Sequence, residues 1–329
     1  MTKPLASLSL DLDNEWSYMK THGDADWRKL PSYLNVVVPR VLKFLKQREK
    51  QRITFFIVGQ DAALKKNEEA LRSIALAGHE IGNHSFHHEP WLHLYTPQQI
   101  VDELQSAEWH IERVTGHRPV GFRGPGYSMS DTLLATLAQL GYQYDASSLP
   151  TFIGPLARAY YFMTAKLDAE QKQERQILFG TIRDAFRPLD PYRWGVNREG
   201  GGLVEIPVTT MPLFRAPIHF SYILYLSRFS RALAMTYFRS ALRLCELTAT
   251  RPSLLLHPLD FLGVEDLSSL RFFPGMDLPR DKKLELMGDL VDHLRSRFQV
   301  VPMIEHARAA AASNLPIKEL AYAASGSPA

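Results

Sequence analysis

The sequence is almost without cysteine, since Cys245 is the only one among its 329 residues. An intrachain disulfide is therefore impossible, and so is a zinc site built on thiolates. Any metal ion must be held by histidine imidazoles and carboxylates. A strong excess of one charge is also lacking. The formal net charge of +3 is too small to suggest a nucleic-acid-binding protein.

Long apolar runs are missing as well. No stretch reaches the roughly 18 uninterrupted apolar residues of a membrane span. The first residues are too polar for the apolar segment of about 7–15 residues that an export signal needs. We therefore expect a cytoplasmic protein. Its 45% hydrophobic and 22% charged residues are the proportions of an ordinary soluble globular domain.

What the sequence does contain is a series of short strand patterns alternating with helical ones. Apolar and polar side chains alternate over residues 7–13, an apolar run covers 53–59, and helical spacing connects them, which is the start of a βαβ unit. Further strands are predicted at 79–83, 119–123, 142–145, 203–209, 252–257 and 299–304, and helices at 61–77, 96–115, 130–140 and 281–297. About seven strands in this order predict an α/β fold with a parallel sheet, and the chain length favours a closed barrel. A doubly wound open sheet is the alternative.

We expect one domain over residues 1–313, interrupted by an insertion of helices and loops at about 152–250, and a flexible tail at 314–329. The insertion contains a predicted helix over 219–247. Four arginines fall within about 120° of one another on that helix: Arg228, Arg231, Arg239 and Arg243. The helix either packs on the barrel or contacts an anionic membrane surface or a lipid-linked sugar.

Two polar clusters follow predicted strands and offer ligands for a metal ion. Asp11 and Asp13 are two apart on one strand, so both carboxylates lie on the same side, where one can bind metal and the other act as a base. His84 and His88 are four apart, so both imidazoles face the same way on a helical turn. The alternatives are a turn for the first cluster and a surface histidine cluster for the second.

Two further clusters offer groups for acid–base chemistry. The run from Phe122 to Tyr127, with Arg123 and Gly126, is a rigid loop that can direct backbone N–H groups at an oxyanion. A buried strand ends in His257, a candidate general acid, and Asp145 ends another strand and could hold its imidazole. Alone, the loop could be an ordinary turn and His257 a structural histidine.

The four clusters together resemble the NodB-type polysaccharide deacetylases of carbohydrate esterase family four. The family's five motifs occur in order from Asp11 to His257, and the most specific is His-Ser-x-x-His after Gly-His-Glu-Ile-Gly-Asn. The segments GHEIGNHS, GFRGPGYS and GYQYDASS are most similar to those of deacetylases of exopolysaccharide or glycolipid biosynthesis. The resemblance implies a distorted (β/α) barrel of about seven strands and removal of an N-acetyl group from an amino sugar.

The resemblance also implies a role for each residue and one divalent metal ion, with zinc as the first choice and cobalt, nickel or manganese as alternatives. The implied metal ligands are Asp13, His84 and His88. The implied catalytic residues are the base Asp11, its partner Arg123, the acid His257 and its partner Asp145. The implied substrate and oxyanion residues are Phe122, Gly126 and Tyr127.

The chain departs from the family pattern at three places. Its first motif is Asp-Leu-Asp, followed by Glu15, which could compete with Asp13 as a ligand. Its third motif has Gly126 before Tyr127, which leaves the oxyanion donor open, and its fourth motif lacks the usual tryptophan, which Leu149 or Phe152 could replace. Three other functions are compatible with the same residues. They are a deformylase of a lipid-linked amino sugar, an allantoinase-like amidohydrolase and a non-catalytic glycan-binding protein.

Overall fold

The computed structural model describes residues 3–154, 182–196 and 202–320, and within these ranges one sheet contains ten strands. In chain order they are β1 (Leu5–Asp11), β2 (Thr54–Ile57), β3 (Glu80–Asn83), β4 (Gly121–Phe122), β5 (Tyr144–Asp145), β6 (Tyr192–Gly195), β7 (Gly202–Glu205), β8 (Ser253–Leu256), β9 (Gln299–Val301) and β10 (Ile317–Glu319). The helices on the same described ranges are α1 (Glu15–His22), α2 (Leu34–Lys46), α3 (Gly59–Ala63), α4 (Glu68–Leu76), α5 (Pro97–Thr115), α6 (Asp131–Gln139), α7 (Phe220–Ser227), α8 (Arg231–Leu247), α9 (Arg280–Arg297) and α10 (Met303–Ala311).

The sheet is almost entirely parallel, as the sequence predicts. Its order is β10-β6-β7-β5-β4-β3-β2-β1-β8, and β9 also pairs with β1. Among the described strands only β6 and β7 pair antiparallel. The ladder does not continue from β10 to β8, so strand pairing does not close the sheet into the expected barrel. Beyond β7, the Thr209 N–H donates to Ser253 O at 2.9 Å, which brings the chain after β7 next to β8.

Strand β1 lies inside the sheet and is buried on both faces. Leu8 and Leu10 pack into the main hydrophobic core. On the other face, Ser7 Oγ lies 2.9 Å from His306 Nδ1, and Ser9 and Asp11 both bind Arg123. The polar side chains that alternate along β1 therefore form an internal row of hydrogen-bonded groups, which ends at the carboxyl end of the strand.

The second half of the chain corrects three of the predictions. The helix predicted over 219–247 is two helices, because the chain breaks before α8 and Ser230 caps its first turn through the Leu233 N–H at 3.2 Å. The predicted insertion contributes β6 as well as β7 to the sheet. Strand β10 and the buried Leu320 lie in the segment that was expected to be a flexible tail. Residues 155–181, 197–201 and 321–329 of those predictions lie outside the described residues.

Two arginines of the predicted stripe bind acidic groups of this chain. Arg228 pairs with Asp277 at 2.8 Å, and Arg231 pairs with Asp289 at 2.5 Å. The opposite faces of α7 and α8 contribute Phe220 and Phe238 to the main core. This packing favours the first of the two interpretations of the arginine stripe, in which the helix lies against the domain. Within the described ranges no helix has the length and apolarity to cross a bilayer.

Candidate active site

The sheet order explains why residues far apart in the sequence meet. β4, β3, β2, β1 and β8 are consecutive neighbours, and all of these pairings are parallel. Their carboxyl ends therefore lie along one edge, where polar groups of an α/β sheet form ligand sites. The side chains that follow these ends include Asp13 after β1, His84 after β3, Arg123 after β4 and His257 after β8.

Asp13 and His84, together with His88, form a compact set of metal-ligand atoms. Asp13 Oδ1 lies 2.9 Å from His88 Nε2 and 3.3 Å from His84 Nε2. The ligand atoms of all three side chains lie within 4.8 Å of one another. His84 Nδ1 lies 2.7 Å from Arg123 O, so the backbone carbonyl orients the ring and leaves Nε2 directed at Asp13. Two imidazoles and one carboxylate are a donor set that fits a divalent transition metal.

The loop that carries the two histidines is not the helical turn that their spacing suggested. Ser85 and His88 both have positive φ, of 62° and 54°, which a helix excludes. The turn is held by its own side chains, since Ser85 N–H donates to Asn83 Oδ1 at 2.8 Å and His88 N–H donates to Ser85 Oγ at 3.2 Å. The two imidazoles still converge, but through this tight loop and not through helical periodicity.

The charge state of Asp13 reflects its two histidine partners. Burial raises the pKa of Asp13, but the charges and hydrogen bonds of His88 and His84 outweigh it and hold the pKa well below its usual range. The pKa of His84 is shifted in the opposite direction. Burial lowers the pKa of His84, while Asp11, Asp13 and the Arg123 carbonyl raise it to a net value above normal. The carboxylate is thus held in the ionised form that a metal ligand needs.

Asp11 is bound by a fully buried arginine. Arg123 Nη1 donates to Asp11 Oδ1 at 2.8 Å and to Ser9 Oγ at 2.8 Å, and Arg123 Nε donates to Ala146 O at 2.9 Å. The guanidinium also lies 4.5 Å from the centre of the Phe56 ring. These contacts fix the carboxylate of Asp11, which lines the cavity above the metal-ligand atoms.

The loop after β4 supplies two of the three residues expected to contact substrate. Gly126 and Tyr127 line the cavity, and both have positive φ, of 57° and 62°. Tyr127 N–H donates to Gly124 O at 3.0 Å, so this amide is already used by the turn. Phe122 is a correction to the expected set, because its ring is fully buried in the second hydrophobic cluster and does not line the cavity.

His257 also lines the cavity, but its partner is not the residue expected from the sequence. Its Nδ1 lies 2.9 Å from Ser221 Oγ on α7. Asp145, at the end of β5, accepts a hydrogen bond from Ser147 Oγ at 2.6 Å and interacts with the neighbouring buried carboxyl of Glu205. Burial raises the pKa of Glu205 well above normal, and Asp145 raises it further. Asp145 therefore belongs to a buried acid pair below the site.

Glu15, the alternative ligand, lies apart from the imidazoles. It is the first residue of α1, and its Oε1 accepts a hydrogen bond from Ser269 Oγ at 2.6 Å. Asp13 occupies the position between the two histidines, so the group of ligand atoms is Asp13, His84 and His88.

The cavity above these residues holds about 390 Å³, within the usual range for small-molecule sites. Its walls are mostly apolar and aromatic. Tyr18 and Phe273 meet edge to face with ring centroids 5.1 Å apart, and His22 stacks on Phe272 at 3.8 Å. Leu149 and Ile153 add aliphatic side chains to the lining.

Three residues near His257 escaped the sequence prediction: Ser221, Asp260 and His219. Ser221 lies within an apolar run, Phe-Ser-Tyr-Ile-Leu, and carries no recognisable signal. Asp260 did carry a signal in the sequence, because His-Pro-Leu-Asp places proline at the first and an acid at the third position of a helical turn. His219 precedes α7 and faces His257, with ring centroids 6.2 Å apart.

Part of the chain matches a known protein family. Residues 24–144 match the family model described as polysaccharide deacetylase. Over this region the chain is similar to the polysaccharide deacetylase family. The matched residues contain His84, His88 and Arg123, whereas Asp11, Asp13 and His257 lie outside them.

Two curated relatives show how far the likeness extends. The chain is 38% identical over 114 residues to the peptidoglycan-N-acetylmuramic acid deacetylase PdaA of Bacillus subtilis (strain 168), covering 34% of this chain and 41% of that protein. It is 31% identical over 172 residues to the peptidoglycan deacetylase of Helicobacter pylori, covering 52% of each chain. The polysaccharide deacetylase region thus spans about half or less of these relatives.

Two solved structures share the fold along nearly the whole chain. A candidate polysaccharide deacetylase of Mycobacterium smegmatis superposes with a TM-score of 0.64 at 21% identity, covering 100% of this chain and 95% of that one. The Puue allantoinase superposes with a TM-score of 0.57 at 16% identity, covering 95% and 92%. At these identities the two structures establish the α/β fold and nothing about substrate.

Proposed function

We propose that this protein is a metal-dependent hydrolase that removes an N-acetyl group from an amino sugar in a glycan or a lipid-linked saccharide. The observation that carries the proposal is the convergence of Asp13, His84 and His88 at the floor of a cavity that also presents Asp11 and His257. The names of the relatives, which include peptidoglycan and chitin deacetylases, support the same reaction.

The resident metal would be held by Asp13 Oδ1 and by the Nε2 atoms of His84 and His88. We propose zinc, because two imidazoles and one carboxylate with open positions are a frequent catalytic zinc set. When bound, such an ion lowers the pKa of water and polarises the acyl carbonyl. Metal analysis of the purified protein would distinguish zinc from the alternatives cobalt, nickel and manganese.

The chain's own residues divide the remaining work. Asp11, held by Arg123, accepts a proton from the attacking water. The oxyanion that forms on the acyl carbon needs a donor, and we propose the backbone N–H of Gly126, because that of Tyr127 is bound to Gly124 O. His257 then gives a proton to the amine nitrogen as the C–N bond breaks. The products are acetate and the free amino sugar.

The walls of the cavity favour an uncharged sugar ring that can place its apolar face on an aromatic side chain. Aromatic rings present flat apolar faces to the apolar face of a pyranose, and the cavity has such rings at Tyr18, Tyr127 and Phe272. Few charged groups line the cavity besides those of the catalytic set. A highly charged substrate is therefore disfavoured, because its charges would be desolvated without partners.

The decisive experiment is to measure acetate release from N-acetylated amino sugars, free, oligomeric and lipid-linked, with metal-stripped and metal-restored protein. Asp11→Asn is the matched control, because it removes the base and leaves the three ligands in place. We expect acetate only from metal-restored wild type. If the restored protein releases formate from an N-formyl sugar, or opens allantoin, and releases no acetate, the proposed acyl group is wrong.

The same measurements test the non-catalytic alternative. A glycan-binding protein would bind the N-acetylated sugar equally well as wild type and as Asp11→Asn, and neither would turn it over. Binding by isothermal titration, together with the absence of any hydrolysis, would establish that function. Peripheral contact with a membrane and location in the cytoplasm remain proposals, which vesicle sedimentation and cell fractionation would test.

A further inference from the structure

The environment of His257 contains a second hydrogen-bonded unit that the deacetylase motifs do not include. Ser221 lies in the first turn of α7, and its Oγ is 2.9 Å from His257 Nδ1. The backbone N–H of His257 donates to Asp260 Oδ2 at 2.8 Å. Burial raises the pKa of Asp260 above its ordinary value, and His257 and the Ser221 hydroxyl offset part of that rise. The three residues therefore form a closed group around the imidazole.

Asp260 is held firmly enough to act as an anchor. It is 2% exposed and lies in the turn Pro258–Phe261 that follows β8. The buried Lys283 of α9 donates to Leu259 O at 2.9 Å and Leu262 O at 2.7 Å. These bonds fix the ends of the turn, and the ammonium group favours the charged form of Asp260.

The hydrogen-bonding capacity of serine sets the direction of the chain of bonds. A hydroxyl has one hydrogen to donate and two lone pairs to accept. If the Asp260 carboxylate is ionised, it can only accept, and the Ser221 hydrogen is then directed at it. The Ser221 oxygen then accepts from His257, which requires the hydrogen of the imidazole to be on Nδ1. Nε2 is left as the atom that faces the cavity, where it can carry the proton destined for the leaving group.

We propose that Ser221, supported by Asp260, is the positioning residue that orients His257 for protonation of the leaving amine. This inference rests on the proposed deacetylase function and replaces Asp145 as the partner of His257. Ser221 does not line the cavity, so it would act through the imidazole.

The other groups that face His257 do not serve this purpose. His219 precedes α7, and burial, with a contribution from His257, lowers the pKa of His219 to about 3, so it is neutral. Its Nδ1 is buried and has no hydrogen-bond partner among the described residues. Asp145 is committed to Ser147 and Glu205. Asp11 and Asp13 line the cavity but are bound to Arg123 and to the metal-ligand imidazoles.

The test compares two acetyl donors that differ in their need for an acid. An amide cannot release its amine without a proton, whereas 4-nitrophenyl acetate releases a stable phenolate without one. We expect Ser221→Ala to lower kcat for the amide by about 10–100-fold, less than the 10²–10⁴-fold expected for the loss of a general acid in His257→Ala. KM for the amide and kcat for the ester should change by no more than about twofold. Ser221→Thr keeps the hydroxyl and should recover most of the amide activity.

A matched control and a structural measurement complete the test. Ser227→Ala removes a hydroxyl from the same helix that donates only to Leu224 O, and it should leave both rates unchanged. Asp260→Asn keeps an acceptor for the His257 N–H but loses the charge, and it should follow Ser221→Ala. Nitrogen-15 NMR of the imidazoles, with His257→Gln for assignment, should show neutral His257 protonated on Nδ1 in wild type and redistributed in Ser221→Ala.

The outcomes separate this inference from the proposed function. Equal losses for amide and ester in Ser221→Ala would overturn it, because a general distortion of the site would affect both. So would a wild-type His257 protonated on Nε2. If wild type hydrolyses no N-acetylated sugar, the proposed function fails, and the NMR result still decides whether Ser221 sets the tautomer of His257.

Discussion

Arg123 links the stability of the sheet to the site, and its removal should damage both. Its guanidinium is fully buried and donates at 2.8–2.9 Å to Asp11, Ser9 and Ala146 O. Methionine in its place would keep most of the apolar volume but leave the buried Asp11 carboxylate without its partner. Breaking a buried ion pair from one side costs about 3–5 kcal/mol. We therefore expect Arg123→Met to lose about that much of the free energy of unfolding.

A double-mutant cycle would assign this loss to the ion pair. Asp11→Asn leaves the guanidinium without its counter-charge, and the double variant removes both charges. The double variant should thus be more stable than the sum of the single losses implies, with a coupling energy of about 0.5–3 kcal/mol. The assay is urea unfolding followed by circular dichroism at pH 7 in the presence of EDTA, so that bound metal does not contribute.

Arg118 provides the matched control for Arg123. It also pairs with a carboxylate, Glu108, at 2.7 Å, but its side chain is 44% exposed. Exposed ion pairs contribute about 0–1 kcal/mol, so Arg118→Ala should change stability little. If Arg123→Met loses no more than Arg118→Ala, or if the cycle shows no coupling, the assigned role of the buried guanidinium is wrong.

Three other predictions follow from the site and the core. His84→Ala and Asp13→Ala should each lose bound divalent metal in equilibrium dialysis, whereas Glu15→Gln should keep one ion per chain; retention by His84→Ala would contradict the ligand set. Burial lowers the pKa of His79 from 6.5 to about 4. As the pH drops from 6.5 to 4, the unfolded chain therefore takes up a proton before the folded one, and the free energy of unfolding falls by roughly 2–3 kcal/mol. The urea midpoint of His79→Gln should fall less over the same interval, and an equal fall would refute this cause. Leu320→Ala should cost about 2–5 kcal/mol by thermal unfolding because Leu320 is 2% exposed, while Ile317→Ala, at 60% exposure, should cost little; equal effects would contradict the packing of the last strand.

Most of the residues that meet in the cavity could be predicted from the sequence, because the parallel sheet brings the residues after its strands to one edge. Asp13, His84 and His257 each follow a strand, and the neighbours of that sheet share one edge, so knowing the strands was enough to bring them together. The local geometry was less accessible. The convergence of His84 and His88 depends on positive φ values that a spacing of four does not reveal.

The errors of the sequence prediction have a common physical cause. β6 and β10 have four and three residues, too short for periodicity to be distinguished from a loop. β6 is stabilised by pairing with the adjacent β7, and β10 by pairing with β6, which lies far from it in the sequence. Short strands whose stability comes from their neighbours leave little trace in local composition.

The partner of His257 shows where motif reasoning reaches its limit. Asp145 ends another strand of the same sheet and was a reasonable candidate, but Glu205 lies next to it on β7 and binds it in a buried acid pair. The imidazole instead finds Ser221, which arrives from α7, an element with no place in the strand order. A helix can approach the edge of a sheet from outside the pattern that positions the strand residues. The hydroxyl beside this imidazole therefore comes from a residue that no strand-based motif would single out, and only the packed structure brings it within 2.9 Å of His257.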